Sequence, residues 1–409
     1  MSYQDALQDL FRRNRRGIKP GLEATRDLAR AMNIDLNKLP MVLVAGTNGK
    51  GSVSSLISHF CTQFGLKTGH YSSPHLLRYT ERIRVDGCEI SQDDVVALWE
   101  SVKVIESSLD HPPSFFEICT VMAHQYFQAQ RCDIVVFEVG LGGRLDATNA
   151  ADPVLSVITN IGLDHQHILG ESLQEISFEK AGIARSDVPC VLGHQSHSEV
   201  PEVLETEVRK RGGVPVWAEA PRGQNRRVTF VDHNIETART AFREIQKSRG
   251  VEPRAPSAPS TQGWSWPGRL EHHQFSNRPD VLLDGAHNAQ AIEALCNAIK
   301  LNDDLQGERI FVLYSCVNTR DPAELIPHLD TISKNIFLAP SSIDKSVSQE
   351  DFASLARGHH VYTSIESGLD SLHQRASDRD LIVVTGSLFA VADAKAWLTE
   401  EPRDPPIQG

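Results

Sequence analysis

Short apolar segments alternate with longer amphipathic segments along most of the chain. The first 40 residues are an exception and are typical of two helices joined by GIKPG. Alternation of this kind predicts βαβ units and a mainly parallel sheet that helices cover on both faces. The strand-like segments of the first half are MVLVAG, KTGHYSS, DIVVFEVG, VLSVITNIG and PCVLG.

The pattern is interrupted once and then resumes. Residues 212–229 show no regular pattern. The next 20 or so residues are typical of a helix that stops near Gly250. The Pro-, Ser- and Ala-rich segment that follows is typical of a linker. A second alternation starts beyond it, with the apolar segments DVLLDGAHN, RIFVLYSC, NIFLAP and LIVVTGS. We therefore predict a domain over 1–250, a linker over 251–265 and a smaller α/β domain over 266–409.

Composition narrows the classes of protein. A net charge of −12 argues against a general nucleic-acid surface, which needs clustered cations. No apolar run is long enough to cross a bilayer, and the N-terminus lacks an apolar signal core, so we expect a cytoplasmic protein. The seven cysteines form no CxxC pair, which disfavours a zinc site or a disulfide framework.

The first apolar strand leads into a Gly-rich turn, GTNGKGS, that opens a helix. Such a turn converges backbone N–H groups on an anion, and Lys50 adds a charge suited to phosphate. The usual phosphate-loop template fails, because Val44 and Gly51 occupy the places of its first Gly and its Ser or Thr. A plain Gly-rich turn is the alternative. The predicted ATP-binding residues of the turn are Gly46, Thr47, Asn48, Gly49, Lys50, Gly51 and Ser52.

Polar residues end or follow the apolar strands, where parallel sheets place ligand chemistry. Glu138 ends one strand, and a charge in such an apolar run is costly unless it is paired or binds a metal. His165 lies beyond another strand and has the alternative of bonding a backbone carbonyl. Lys180 lies near a helix end, where a lysine ordinarily complements the helix dipole. Arg269 has a surface ion pair as its alternative.

Several motifs occur in one order from residue 41 to residue 389, and together they resemble folylpolyglutamate synthases and dihydrofolate synthases of the Mur ligase superfamily. The motifs are GTNGKGS, YSSPHLLRYTERIRVDG, FFEICTVMA, FEVGLGGRLDATN, LDHQHILG, EKAGI, WPGRLE, DGAHN and VTGSLF. The resemblance implies an α/β fold, with a P-loop-type, mainly parallel ATPase domain followed by a smaller Rossmann-like ligase domain.

The resemblance also implies roles for individual residues. Ser73, Glu138 and His165 would bind magnesium, and Lys180, if carbamylated, would help to hold a second metal. Asn234, Arg269 and Asp284 would contact ATP. The catalytic residues would be Lys50, Lys180, Asp284 and His287. The folate or substrate pocket would include Arg82, Phe116, Glu117, Asp146, Ala147 and Ser387, with Phe116 equally consistent with a core position.

The chain departs from the family pattern in three places. Of a glutamine-rich segment that approaches adenine, only Asn234 is kept. The segment VNTRDPAE replaces a Lys-Asp-Lys-Asp-like run and retains Asp321, and Ala289 stands where a proline commonly follows DGAHN. These changes allow altered substrate preference.

The activity that the resemblance implies is ATP-dependent addition of L-glutamate to tetrahydrofolates, and also to dihydropteroate if the enzyme is bifunctional. ATP and Mg²⁺ would be the cofactors, with K⁺ left open. The partners would be small molecules and not nucleic acid or a membrane, and the enzyme would be a monomer. Two alternatives are a Mur-type ligase for another carboxylate acceptor, such as a cell-wall precursor, and a nucleotide-binding regulator without turnover.

Overall fold

The computed structural model describes residues 1–16, 21–106, 108–221, 228–250, 260–355 and 358–405. These residues form two separate sheets, each with helices on both faces. In this part of the chain, no helix combines the length and the apolar character that a membrane span requires.

The first sheet has the strand order β4-β3-β2-β5-β1-β6-β7-β8. Its strands are β1 Met41–Ala45, β2 Thr68–Tyr71, β3 Ile83–Val85, β4 Cys88–Glu89, β5 Ile134–Glu138, β6 Leu155–Ile158, β7 Pro189–Leu192 and β8 Val214–Trp217. The helices of this half are α1 Tyr3–Phe11, α2 Glu23–Ala31, α3 Lys50–Gln63, α4 Gln92–Glu106, α5 Phe115–Ala129, α6 Gln166–Leu169, α7 Leu173–Ala181, α8 Val200–Lys210 and α9 Phe230–Ser248.

The position of β1 inside the sheet explains why every residue of its segment is apolar. Leu43 packs into the core that faces α1, α2, α4 and α5, whereas Val42 and Val44 pack into the core that faces α3 and α9. A strand buried on both faces needs apolar residues at every position. Because β1 and β5 are parallel and Val44 pairs with Glu138, the turn after β1 and the carboxylate of Glu138 lie at the same sheet edge.

The second sheet has the order β13-β12-β11-β14-β10-β9, in which only the edge strand β9 is antiparallel. Its strands are β9 Glu271–His273, β10 Asp280–Leu283, β11 Ile310–Tyr314, β12 Asn335–Leu338, β13 His360–Val361 and β14 Leu381–Thr385. The helices are α10 Ala289–Leu301, α11 Pro322–Leu329, α12 Gln349–Leu355, α13 Ile365–Arg375 and α14 Leu388–Thr399. Leu76 and Leu77, from the segment after β2, are buried in the core between this sheet and α13 and α14.

The α/β fold and the mainly parallel sheets confirm the prediction. The prediction of an irregular segment over 212–229 was wrong in part, because β8 forms there. Pro215 makes this strand hard to recognise from the sequence. However, β8 is an edge strand of the sheet, where a residue without an N–H donor is tolerated. The antiparallel pair β3–β4 was also missed. The predicted linker separates the two sheets, although its residues 251–259 lie outside the described residues, and the domain boundaries stay a prediction.

Candidate active site

The Gly-rich turn joins β1 to α3 at the carboxyl edge of the first sheet. A Cβ on Gly46 would lie 1.8 Å from Oγ1 of Thr159, so no larger residue fits there. Gly49 has a φ of +86°, and a Cβ on it would lie 2.7 Å from Oδ1 of Asn234. The N–H of Thr47 bonds the carbonyl of Asn160 at 2.7 Å, which fixes the turn against the end of β6.

Two lysine side chains bond to this turn. Nζ of Lys50 donates to the carbonyls of Gly46 and Thr47, both at 3.1 Å, and Nζ of Lys180 donates to the same Gly46 carbonyl at 2.8 Å. Burial lowers the pKa of Lys180 to about 7, and the charge of Lys50 adds to the effect. Lys180 therefore reaches the Gly-rich turn of residues 46–52, called the phosphate loop below, from inside the protein. It does not complement a helix end in solvent.

Glu138 is the last residue of β5 and is 5% exposed. Its Oε2 accepts the backbone N–H of Ser73 at 3.1 Å, and its Oε1 lies near Gly51 at the start of α3. Burial raises the pKa of Glu138, and the charge of Lys50 partly opposes this rise. A buried carboxylate with one backbone donor, next to a serine, suits the oxygen-rich coordination of Mg²⁺, so these residues fit a divalent metal.

His165 has a different environment. It immediately precedes α6, its side chain is 47% exposed, and Nε2 lies 3.8 Å from Oδ1 of Asp164. In the described ranges, no group of three or more His, Cys, Asp or Glu side chains is placed to hold a metal. The metal-binding roles of Ser73, Glu138, His165 and Lys180 stay predictions.

The second half contributes the loop after β10. Asp284 is buried and accepts the N–H groups of Leu270 at 2.8 Å and Ala286 at 2.9 Å. Burial raises its pKa, and the charge of Arg269 opposes that rise. Arg269 crosses over Gly285, on which a Cβ would lie 2.4 Å from Nη1 of the arginine. Arg269 also lines a narrow cavity of about 40 Å³ together with Glu138, so the two halves meet there.

Polar side chains connect this loop to the phosphate loop. Asn48 donates to Oε1 of Gln290 at 2.7 Å and accepts from Asn288 at 3.1 Å. Asp164 accepts from Asn288 at 3.2 Å and pairs with Arg320. The sequence analysis assigned no role to Asp164, Gln290 or Arg320, and it placed Asn288 only as part of the motif DGAHN. The only available signal was that Asp164 and Asn288 directly adjoin the predicted residues His165 and His287.

The environment of Asp164 strongly favours its ionised form. Burial raises the pKa of this carboxyl, but the nearby His287, with further contributions from His165 and the guanidinium of Arg320, outweighs burial and lowers the pKa well below its ordinary value. Nδ1 of His287 bonds the carbonyl of Gly285 at 2.8 Å, and Nε2 lies 3.6 Å from Oδ2 of Asp164. The predicted residues Asp284 and His287 are therefore on one loop that faces the phosphate loop.

A larger cavity of about 280 Å³ opens beside the ends of β7 and β8. The imidazoles of His194 and His233 line it and stack with their centroids 3.8 Å apart and their planes at 8°. Gln195, also in the wall, donates to the carbonyl of Thr159 at 2.7 Å and thus connects the cavity to the strand behind the phosphate loop. Asn234 follows His233 and contacts Gly49, as noted above.

Three residues predicted for the substrate pocket make hydrogen bonds that stabilise the local fold, so their presence is explained without a substrate. Glu117 accepts the N–H of Ser114 in the cap of α5, and Ser387 caps α14. Asp146 accepts from Leu141 and Thr148 at the 3₁₀ turn of residues 147–150, which contains the buried Ala147. Their role in substrate binding stays a prediction.

The other two pocket residues lie among aromatic rings. Arg82 donates to Nδ1 of His75 at 2.8 Å and lies 5.2 Å from the ring centroid of Phe115. Phe116 packs against Gly140, where a Cβ would lie 2.3 Å from the ring, and against Tyr71. Arg82 is buried among these rings, and the binding roles of Arg82 and Phe116 stay predictions too.

Comparisons with known proteins agree with this geometry. Residues 44–190 match the Mur ligase middle domain, and residues 268–388 match the Mur ligase, glutamate ligase domain. The dihydrofolate synthase/folylpolyglutamate synthase of Bacillus subtilis is 30% identical over 97% of this chain and 99% of its own. A probable bifunctional folylpolyglutamate synthase/dihydropteroate synthase of Haloferax volcanii is also 30% identical, and the chain spans about half of its length (51%).

Solved structures extend the similarity to the whole fold. Escherichia coli FolC in complex with DHPP and ADP superimposes with a TM-score of 0.85 at 27% identity, covering 97% of this chain and 98% of that one. A Yersinia pestis bifunctional folylpolyglutamate synthase/dihydrofolate synthase, complexed with AMPPNP and a Mn ion, gives a TM-score of 0.83 at 27% identity, covering 97% and 98%. The chain therefore belongs to the folylpolyglutamate synthase/dihydrofolate synthase family of Mur ligases.

Proposed function

We propose that this protein is an ATP-dependent ligase that joins L-glutamate to a folate carboxylate through an acyl phosphate. The observation that carries the proposal is the meeting of the phosphate loop with the Asp284–His287 loop of the second half, through Asn48, Asn288 and Gln290. A regulator without turnover would need the phosphate loop but would have no need of this second, polar loop facing it.

The reaction needs activation because an amine cannot displace oxide from a carboxylate. The substrate carboxylate attacks the γ-phosphorus of ATP, which gives ADP and an acyl phosphate. The glutamate amine then attacks the acyl carbon, and phosphate leaves with the C–O electron pair. Lys50 and Arg269 lie where they can align and neutralise the phosphates, which is the main contribution that a protein makes to phosphoryl transfer.

Glu138 and the hydroxyl of Ser73 are the residues that we propose to hold the divalent metal, which when bound neutralises charge on the phosphates. His165 is a further candidate ligand. Lys180 is the candidate for carbamylation, because a lysine reacts with CO₂ as the free amine and burial lowers the pKa of Lys180 to about 7. Its position against the Gly46 carbonyl places any added carboxylate beside the phosphate loop.

We propose that the cavity lined by His194, His233 and Trp217 receives the adenine base. The base would stack on an imidazole or indole face, with Asn234 beside the phosphate loop as the polar contact. We propose that this cavity serves in place of the glutamine-rich segment of the family, of which this chain keeps only Asn234.

The relatives support a folate acceptor. The B. subtilis and E. coli relatives are named for both the dihydrofolate synthase and the folylpolyglutamate synthase activities, so we propose both acceptors for this chain. A cell-wall precursor is disfavoured by these matches. A monomeric state, a cytoplasmic location and a K⁺ requirement stay predictions.

The first test measures glutamate incorporation and phosphate release with ATP and Mg²⁺, offering dihydropteroate and tetrahydrofolate separately. We expect turnover with both acceptors. Lys50→Ala should lower turnover at least about a hundredfold, because the turn loses the lysine that we propose to neutralise the phosphates, while Lys247→Ala, at an exposed helix position, serves as the control. Turnover with neither acceptor, or an active Lys50→Ala variant, would refute the assignment.

Replacing Glu138 by Gln should raise the Mg²⁺ concentration needed for half-maximal activity by at least about tenfold, because the amide carries no charge to bind the cation. The measurement is a Mg²⁺ titration of initial rates, with the surface variant Glu205→Gln in parallel. An unchanged titration midpoint would show that Glu138 is not a metal ligand.

Stability should depend on pH through Lys180. In the unfolded chain its pKa is about 10.4, so between pH 7 and 10 the unfolded state binds a proton that the folded state lacks. The free energy of unfolding of the wild type should therefore rise with pH relative to Lys180→Met, by about 2 kcal/mol from pH 7 to 9. Denaturant titrations in CO₂-free buffer measure this difference. A difference that stays constant with pH would mean that the amine remains charged and unavailable to CO₂.

Removing one wall of the cavity proposed for the adenine base should weaken the binding of nucleotides but not the binding of phosphate chains that have no base. For His194→Ala we expect an ADP dissociation constant about tenfold higher, because base stacking contributes about 1–3 kcal/mol, and unchanged binding of inorganic tripolyphosphate, which has no base. Calorimetry checks both ligands, with the exposed His111→Ala as the matched control. Equal weakening of both ligands, or of neither, would place the base elsewhere.

A further inference from the structure

Asp164 lies in the loop after β6 of the first half, yet most of its partners come from the second half. Its own loop supplies one backbone donor, the N–H of His165 at 2.8 Å. The guanidinium of Arg320, the amide of Asn288 at 3.2 Å and Nε2 of His287 at 3.6 Å all approach it from across the interface.

Burial makes these contacts matter for the arrangement of the two halves. The side chain of Asp164 is only 7% exposed, and that of Arg320 is 24% exposed. A buried carboxylate that loses its partners is strongly destabilising, whereas an exposed ion pair contributes little. While the second half covers Asp164, loss of the Arg320 guanidinium would leave a buried carboxylate short of a partner, so the pair matters most in the arrangement described here.

The Asp164–Arg320 ion pair is also connected to residues that we propose to take part in the reaction. Nδ1 of His287 bonds the Gly285 carbonyl at 2.8 Å, and Nε2 of the same ring faces Oδ2 of Asp164 at 3.6 Å, so Asp164 is the neighbour of the free edge of this imidazole. Asn288 bridges Asp164 and Asn48, and through it the ion pair is connected to the phosphate loop. In the part of the chain that the structure describes, the guanidinium of Arg320 pairs with Asp164, and we infer that it acts through this carboxylate.

We propose that Arg320 is a positioning residue, which pairs with Asp164 across the interface and holds the 284–290 loop, with His287, against the phosphate loop during ligation. The kinetic part of this inference rests on the proposed function. The structural part, that the pair joins the two halves, does not depend on turnover.

Two independent measurements test the proposal. In the ligase assay, Arg320→Gln should lower kcat at least about tenfold with less than a threefold change in the KM for ATP, since Lys50 and the loop glycines are intact. Arg320→Lys should recover part of the loss. Combining Arg320→Gln with Asp164→Asn should cost no more than the worse single change. Arg379→Gln, whose ion pair with Glu308 is exposed within the second half, is the control and should retain full activity.

Hydrogen exchange of the intact chain gives the readout without turnover. Arg320→Gln should speed amide exchange in residues 160–164 and 285–290 while leaving β14 unchanged. Normal kcat in Arg320→Gln, additive losses in the double variant, or unchanged exchange in those two segments would each overturn the proposal. If the wild type shows no ligase turnover, the proposed function fails, and the exchange data alone decide whether the ion pair holds the two halves together.

Discussion

The carbonyl oxygen of Gly46 accepts two lysine side chains, and the arrangement of the whole site depends on this contact. Lys50 and Lys180 come from different helices, and each has given up solvation to reach one backbone oxygen. One carbonyl is a weak partner for two lysine side chains. The turn therefore holds Lys50 in a position where a triphosphate would be a better partner, which means that the protein is prepared for an anion before one binds.

Charges from both halves face each other around the loop. Asp164 of the first half pairs with Arg320 of the second half. Glu138 has Lys50 of its own half as its main opposing charge, and Arg269 of the second half, in the same cavity wall, adds to it. This arrangement explains why a chain with an overall charge of −12 can assemble an anion site, since the cations are concentrated where the two sheets approach each other.

The sequence was most informative where the physical cause is local. Apolar strands buried on both faces are visible as continuous runs, and the Gly-rich turn, Glu138 and Asp284 all adjoin such runs. The pairing of Asp164 with Arg320 was not predictable, because 156 positions separate the two residues and only the tertiary fold brings them together. Local patterns also left open the capping contacts of Glu117, Asp146 and Ser387, because a carboxylate or hydroxyl can equally cap a helix or bind a ligand.

Leu76 and Leu77 limit how the two halves can move. Both leucines belong to the segment after β2, but they are buried in the core of the second sheet, beside α14. Pulling them out would expose apolar surface on both sides, so the halves cannot simply drift apart to release a product. An opening that keeps these two leucines buried is a rotation about this contact, with the largest displacement on the side of the cleft farthest from it.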